Sequence, residues 1–208
     1  MIFQGQVGPT LASSGSTPVV RLLNDASAGV SDTHGRYQEA VYRGNVYFLN
    51  VSAGAPTAFV GAAGGTPLLG IMNPLASTKN LVLLGAMVGN RVAASAAGTV
   101  TFNLWAGVSV NPTGTQTNPV NMLTLNSSGS AARGFSNAAL TGSTAIGQVM
   151  PLATYYWATA AAAFMAPTTF DIAGMVIVVP GNLVALGATA ALTSATWDAT
   201  LVWEEIPL

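Results

Sequence analysis

The chain has 208 residues, and Lys, Arg, Asp and Glu make up only 6% of it, where roughly 25% is usual for a soluble protein. Six basic and seven acidic side chains leave a net charge of -1, too few cations for the phosphate-neutralising surface that nucleic-acid binding requires. Hydrophobic residues reach 50% and cysteine is absent, which excludes a disordered composition, disulfides, thiolate nucleophiles and Cys-based zinc sites.

At the start, Met1-Ile2-Phe3-Gln4-Gly5 lacks the basic stretch and long apolar run of a signal peptide. Arg21, Asp25, Asp32, Arg36, Glu39 and Arg43 then crowd together with the sole histidine, His34. Residues 1–44 are accordingly expected to form an extended N-terminal arm rich in turn formers, and residues 45–208 the main domain. No internal repeat at a fixed period is visible.

Strands are predicted in the main domain over 46–51, 81–88, 99–110, 120–125, 170–179, 183–186 and 199–206. The clearest is the stretch 99–110. Val100, Phe102, Leu104, Ala106, Val108 and Val110 fall on one side, and Thr99, Thr101, Asn103, Trp105, Gly107 and Ser109 on the other. Turn chemistry punctuates the strands at 61–65, Asn73-Pro74, Asn111-Pro112, Asn118-Pro119 and Pro180-Gly181-Asn182. Tyr155-Tyr156-Trp157 ahead of Ala160–Ala163 fits either a short helix or a strand running into a loop. No charge occurs from Ile172 to Trp197, but the β-branched run Val176–Val179 and the Pro-Gly-Asn behind it read as strand, turn and strand rather than a spanning helix. A soluble chain without a membrane partner is expected.

Many short strands without helical crossovers predict an all-β fold, an antiparallel jelly-roll sandwich with its extended arm. Several of these strands are apolar on both faces, 46–51 and 170–179 among them. Val46 and Phe48 lie opposite Tyr47, Leu49 and Val51; Phe170, Ile172, Val176 and Val178 lie opposite Met175, Ile177 and Val179. A two-layer sandwich buries one face of each sheet. The second face must meet another subunit, the arm or some other cover, and an oligomer is the preferred expectation.

Chemical signatures are sparse. His34 sits in Ser31-Asp32-Thr33-His34-Gly35, but no G-x-S-x-G elbow exists, and neighbours in sequence are seldom placed as a relay. Glu204 and Glu205 are adjacent on a predicted strand, so they leave opposite faces and cannot flank one glycosidic bond. Lys79, the sole lysine, lacks the upstream glycines of a phosphate loop. One histidine and no cysteine cannot make a closed transition-metal site. Calcium on a symmetry axis stays open through Asp25, Asp32 or Asp171. The expectation is no enzyme, no cofactor, no metal and no nucleic-acid partner.

The run from Asp171 through Pro180-Gly181-Asn182 to Leu186 resembles the paired late strands of viral jelly rolls. Ala199-Thr200-Leu201-Val202-Trp203-Glu204-Glu205-Ile206-Pro207 resembles the last core strand of structural proteins from tailed bacteriophages. Gly35-Arg36-Tyr37-Gln38-Glu39, and Asn73-Pro74 ahead of Lys79-Asn80-Leu81-Val82-Leu83, fit the same pattern. The nearest type is the capsid decoration, or cement, protein. The resemblance implies a homotrimeric structural protein on the virion, at the capsid exterior, with the major capsid protein or another virion protein as its partner. Head fibre, tail and receptor-binding jelly rolls share the pattern; a carbohydrate-binding or hydrolytic jelly roll is the remaining alternative. The charged arm and the closing strand supply the expected assembly contacts: Arg36, Tyr37, Glu39, Arg43, Trp203 and Glu205.

Overall fold

The computed structural model describes residues 37–59, 65–127, 129–157, 166–191 and 194–208. The chain divides into Met1–Gln38 and Glu39–Leu208, and the second unit carries the fold. The first element among the described residues is a five-residue helix, α1 (Gln38–Tyr42). The strands are β1 (Val46–Gly54), β2 (Leu69–Met72), β3 (Lys79–Val92), β4 (Gly98–Thr113), β5 (Gln116–Thr117), β6 (Val120–Asn121), β7 (Arg133–Ser136), β8 (Thr141–Trp157), β9 (Thr168–Asp171), β10 (Ile177–Val178), β11 (Asn182–Ala188) and β12 (Thr196–Pro207).

These strands form two antiparallel sheets. The first runs β10-β3-β12-β1-β6, with β9 also on β3; the second runs β5-β7-β2-β11-β4-β8. Setting aside the short β5, β6, β7 and β10, the chain alternates so that β1-β12-β3-β9 faces β2-β11-β4-β8. That is the doubled Greek key of a jelly roll, and the all-β antiparallel expectation holds.

The inner faces interdigitate around large side chains. Phe102 and Trp197 meet edge-on at 4.6 Å, with Tyr155 5.1 Å from Trp197. Tyr47 and Trp203 stack at 6.4 Å. Leu83, Leu104, Leu186 and Leu201 fill the space around them, all buried. Each such leucine contributes about 1.5–3 kcal/mol by leaving water.

Several boundaries differ from the sequence reading, each for a local reason. The stretch 170–179 is two strands, because Ala173 (φ 54°) and Gly174 (φ 82°) turn the backbone between β9 and β10. The stretch 120–125 is paired only over Val120–Asn121. Beyond it the Asn121 carboxamide oxygen accepts from Leu123 N–H and Thr124 N–H, closing an Asx turn. Asn111-Pro112 is not a turn but the end of β4, where the β4–β8 register shifts between Ser109 and Thr113, a place that tolerates a proline without a donor. Tyr155-Tyr156-Trp157 ends strand β8. Ala160–Ala163 and the glycine turn at 61–64 lie outside the described residues.

The Pro180-Gly181 turn is as expected, with Gly181 at φ 84° and Asn182 N–H donating to Val179 O. Buried Asn73 ties it to the first sheet: its Nδ2 donates to Lys79 O at 2.8 Å and Val178 O at 2.9 Å. The second face of the β2-β11-β4 sheet, apolar at Met72, Trp105, Leu183 and Ala185, is covered by Phe59 and Leu140 of the same chain.

Candidate functional site

The outer face of the first sheet is the surface that this packing leaves open. Pairing places its side chains in rows. Phe48, Val202, Gly85 and Asp171 form one row; Val46, itself buried, Glu204, Val82 and Ile177 form the next. Asn50, Thr200, Met87 and Thr169 form a third. The inner neighbours Tyr47, Leu49, Leu201 and Trp203 are buried, as period two requires.

The face has two ends of different character. At one end a groove of about 320 Å³ is lined by Asn50, Ser52, Asn90, Asp198 and Thr200 over Met87, Gly89 and Pro167. Ala53 N–H donates to Asp198 Oδ1 at 3.0 Å, and Arg91 Nη1 donates to the same oxygen at 3.2 Å. Arg91 Nη1 also donates to Ser52 Oγ. The Ala53 amide, with Arg91 behind it, holds the Asp198 carboxyl below the usual carboxylate range despite some desolvation. The groove therefore offers hydrogen-bonding groups and one charge-paired carboxylate to a polar ligand or partner.

The other end is apolar. Val176 and Val178 point inward and are buried, while Met175 (68% exposed), Ile177 (53%) and Val179 point out. Ile206, opposite Asn80 on β3, is exposed beside them. Glu204 stands between Val46 and Val82, half-buried, and its carboxylate has no hydrogen-bond or ion-pair partner among the described residues.

At the opposite edge of the same sheet the chain leaves β6 as a firmly held loop. Asn121 Nδ2 donates to Gly44 O at 2.7 Å and Met122 N–H to Val46 O at 2.9 Å, fixing the loop to the start of β1. Met122, Leu123 and Leu125 project from it into solvent, Leu125 with 73% of its surface exposed.

The expected assembly contacts separate. Arg36 and His34 lie outside the described residues, and Tyr37 sits in the turn before α1. Glu39 on α1 and Arg43 in the turn just after it meet as an exposed i, i+4 pair at 2.9 Å, so the two do point together. Trp203 and Glu205 are both fully buried and have no surface to offer a partner in this fold. Trp203 belongs to the inter-sheet core. Glu205 accepts from Lys79 Nζ at 2.9 Å, Ser130 Oγ at 2.6 Å and Ala131 N–H at 2.8 Å. Glu204 and Glu205 leave opposite faces, as adjacent strand residues must.

Sequence reasoning missed the protruding loop, because Met122, Leu123 and Leu125 read there as strand. The signal was Asn121, an Asx-turn former ahead of two amides that need an acceptor. Among the described residues no cluster of three or more His, Cys, Asp or Glu could hold a metal ion, and no helix is long and apolar enough to cross a membrane. No family model, curated protein or solved structure matches the chain.

Proposed function

We propose that this chain is a structural virion protein that decorates and stabilises the outside of a bacteriophage capsid, acting through protein–protein contacts as a homotrimer. One observation carries the reading: a jelly-roll sandwich in a chain with 6% charged residues leaves Met175, Ile177, Val179 and Ile206 exposed on one sheet face. Apolar faces of that kind mark interaction surfaces, and jelly rolls are a recurrent architecture of viral shells. A surface so short of lysine and glutamate loses little rotamer entropy and little charge hydration when it docks. On this reading the chain is not an enzyme, and the groove beside Asp198 is a contact surface.

Electron microscopy of the particle tests it. The reading expects density matching the two-sheet sandwich on the outer capsid surface, in groups of three copies. Density confined to the tail or to a fibre, or a particle without the chain, overturns it.

A further inference from the structure

The two apolar features at the edges of the first sheet belong together. In the order β10-β3-β12-β1-β6, the flat patch lies at the β10 end and the protruding loop follows β6 at the other. The patch is a two-residue edge strand with Met175, Ile177 and Val179 facing outward. The loop is a knob with Met122, Leu123 and Leu125 at its surface, pinned at its base by Asn121.

The charges near them are opposite. Arg43 is one residue from Gly44, whose carbonyl anchors the knob, and its side chain is 55% exposed. Glu39 occupies its Nε, and among the described residues the guanidinium keeps further N–H groups to donate. Glu204 lies in the row of Ile177, two strands in from the patch, and its carboxylate has no partner among the described residues.

We infer that the knob of one copy seats on the β10-edge patch of a second copy, with Arg43 of the first approaching Glu204 of the second. A single repeated contact then accounts for both apolar features and for the unpaired carboxylate, whereas a foreign partner would account for one feature and leave the other open to water. Knob and patch are different surfaces, so the contact is heterologous, and heterologous contacts form closed rings when the rotation closes. This rests on the proposed homo-oligomer and adds its interface. The groove beside Asp198 is left free for other partners.

Light scattering on the purified full chain tests the inference. The variants are Leu123→Asp/Leu125→Asp on the knob and Met175→Asp/Ile177→Asp on the patch, each checked for fold by circular dichroism. The wild type is expected to be oligomeric at micromolar concentration and each variant monomeric. A one-to-one mixture of the two variants is expected to show twice the monomer mass and nothing larger, since each pair retains one intact knob and one intact patch. Arg43→Glu should weaken assembly by about tenfold, the scale of a reversed charge at an interface rim, and Arg43→Glu/Glu204→Arg should restore it. A monomeric wild type, a variant that keeps the wild-type mass, a mixture that stays monomeric, or a charge swap that restores nothing overturns the inference. An oligomer indifferent to all of these changes would overturn this interface alone, because the virion role is read from the particle.

Discussion

Lys79 Nζ lies 2.9 Å from Glu205 Oε2, and Glu205 is the one fully buried charged residue among those described. The pair joins the start of β3 to the end of β12, and through Ser130 and Ala131 it also fastens the connection between β6 and β7. Its role is internal, which corrects the expectation that Glu205 meets a partner. Lys79 keeps 32% of its side chain exposed, so water supports the cation while the protein supports the anion.

Removing the cation should therefore cost more than removing the anion. Lys79→Met leaves a carboxylate buried with only two neutral donors, a loss of roughly 3–5 kcal/mol. Glu205→Gln keeps an acceptor for Ser130 and Ala131 and lets Lys79 turn to solvent, so it should cost visibly less. Urea unfolding of the two variants checks the order; equal losses would mean that the charge on Glu205 is irrelevant to the clasp.

Trp203 gives a second comparison. It stacks on Tyr47 in the inter-sheet core, yet its indole N–H has no acceptor among the described residues. Trp203→Ala should cost about 3–5 kcal/mol through the cavity it leaves. Trp203→Phe should cost only about 1 kcal/mol, because the ring is largely kept and a buried unpaired donor is removed. Thermal unfolding of both variants separates packing from hydrogen bonding at this position.

The long inward-facing strands were legible because a strand exposes its pattern in consecutive residues. Phe102 and Leu104, or Leu201 and Trp203, need no knowledge of the rest of the chain to be placed on one face. What escaped depends on partners distant in sequence. Glu205 is buried because Lys79 and Ser130 reach it from 126 and 75 residues away, and no local pattern announces that. Phe59 sits among alanines, glycines and prolines without periodicity, so its role as a cover was invisible. Gly147 and Pro151 interrupt β8, and register shifts in the β4–β8 ladder absorb them. Of the surface, the outward Met175, Ile177 and Val179 were readable as a second apolar face; the knob opposite them was not, because a single Asx turn converts a predicted strand into a loop.

Asp198 supplies a pH dependence with a definite sign. Its folded-state pKa lies below the unfolded value of 3.8, chiefly through the Ala53 amide and then Arg91. The stabilisation is therefore fully present above that unfolded value and is lost as the pH falls through the lower folded-state pKa. Asp198→Asn should lower stability near neutrality by the same modest amount that the acid limb loses, modest because the side chain is 51% exposed and exposed pairs are screened. It should flatten the acid limb of the stability curve. An acid limb identical to that of the wild type would show that the Ala53 and Arg91 contacts do not bias the carboxyl.

The cover over the second sheet rests on a steric fit that a double substitution can isolate. Phe59 is fully buried, meets Trp105 edge-on at 6.0 Å, and is held by its own amide donating to Ala188 O at 2.8 Å. It lies flat on Gly187: a methyl group there would come within 2.7 Å of the ring and 2.9 Å of Phe59 Cβ. Gly187→Ala should thus displace the ring and cost about 1–3 kcal/mol as overpacking. Phe59→Ala should cost about 3–5 kcal/mol through the cavity over Trp105. Together the two changes should cost at least about 1 kcal/mol less than their sum, because losing the Phe59 ring makes room for the new methyl and the methyl fills part of the void. Denaturant unfolding of the wild type, both single variants and the double variant measures this coupling. Strict additivity would mean that Phe59 does not rest on Gly187 in solution, and that something else covers Trp105.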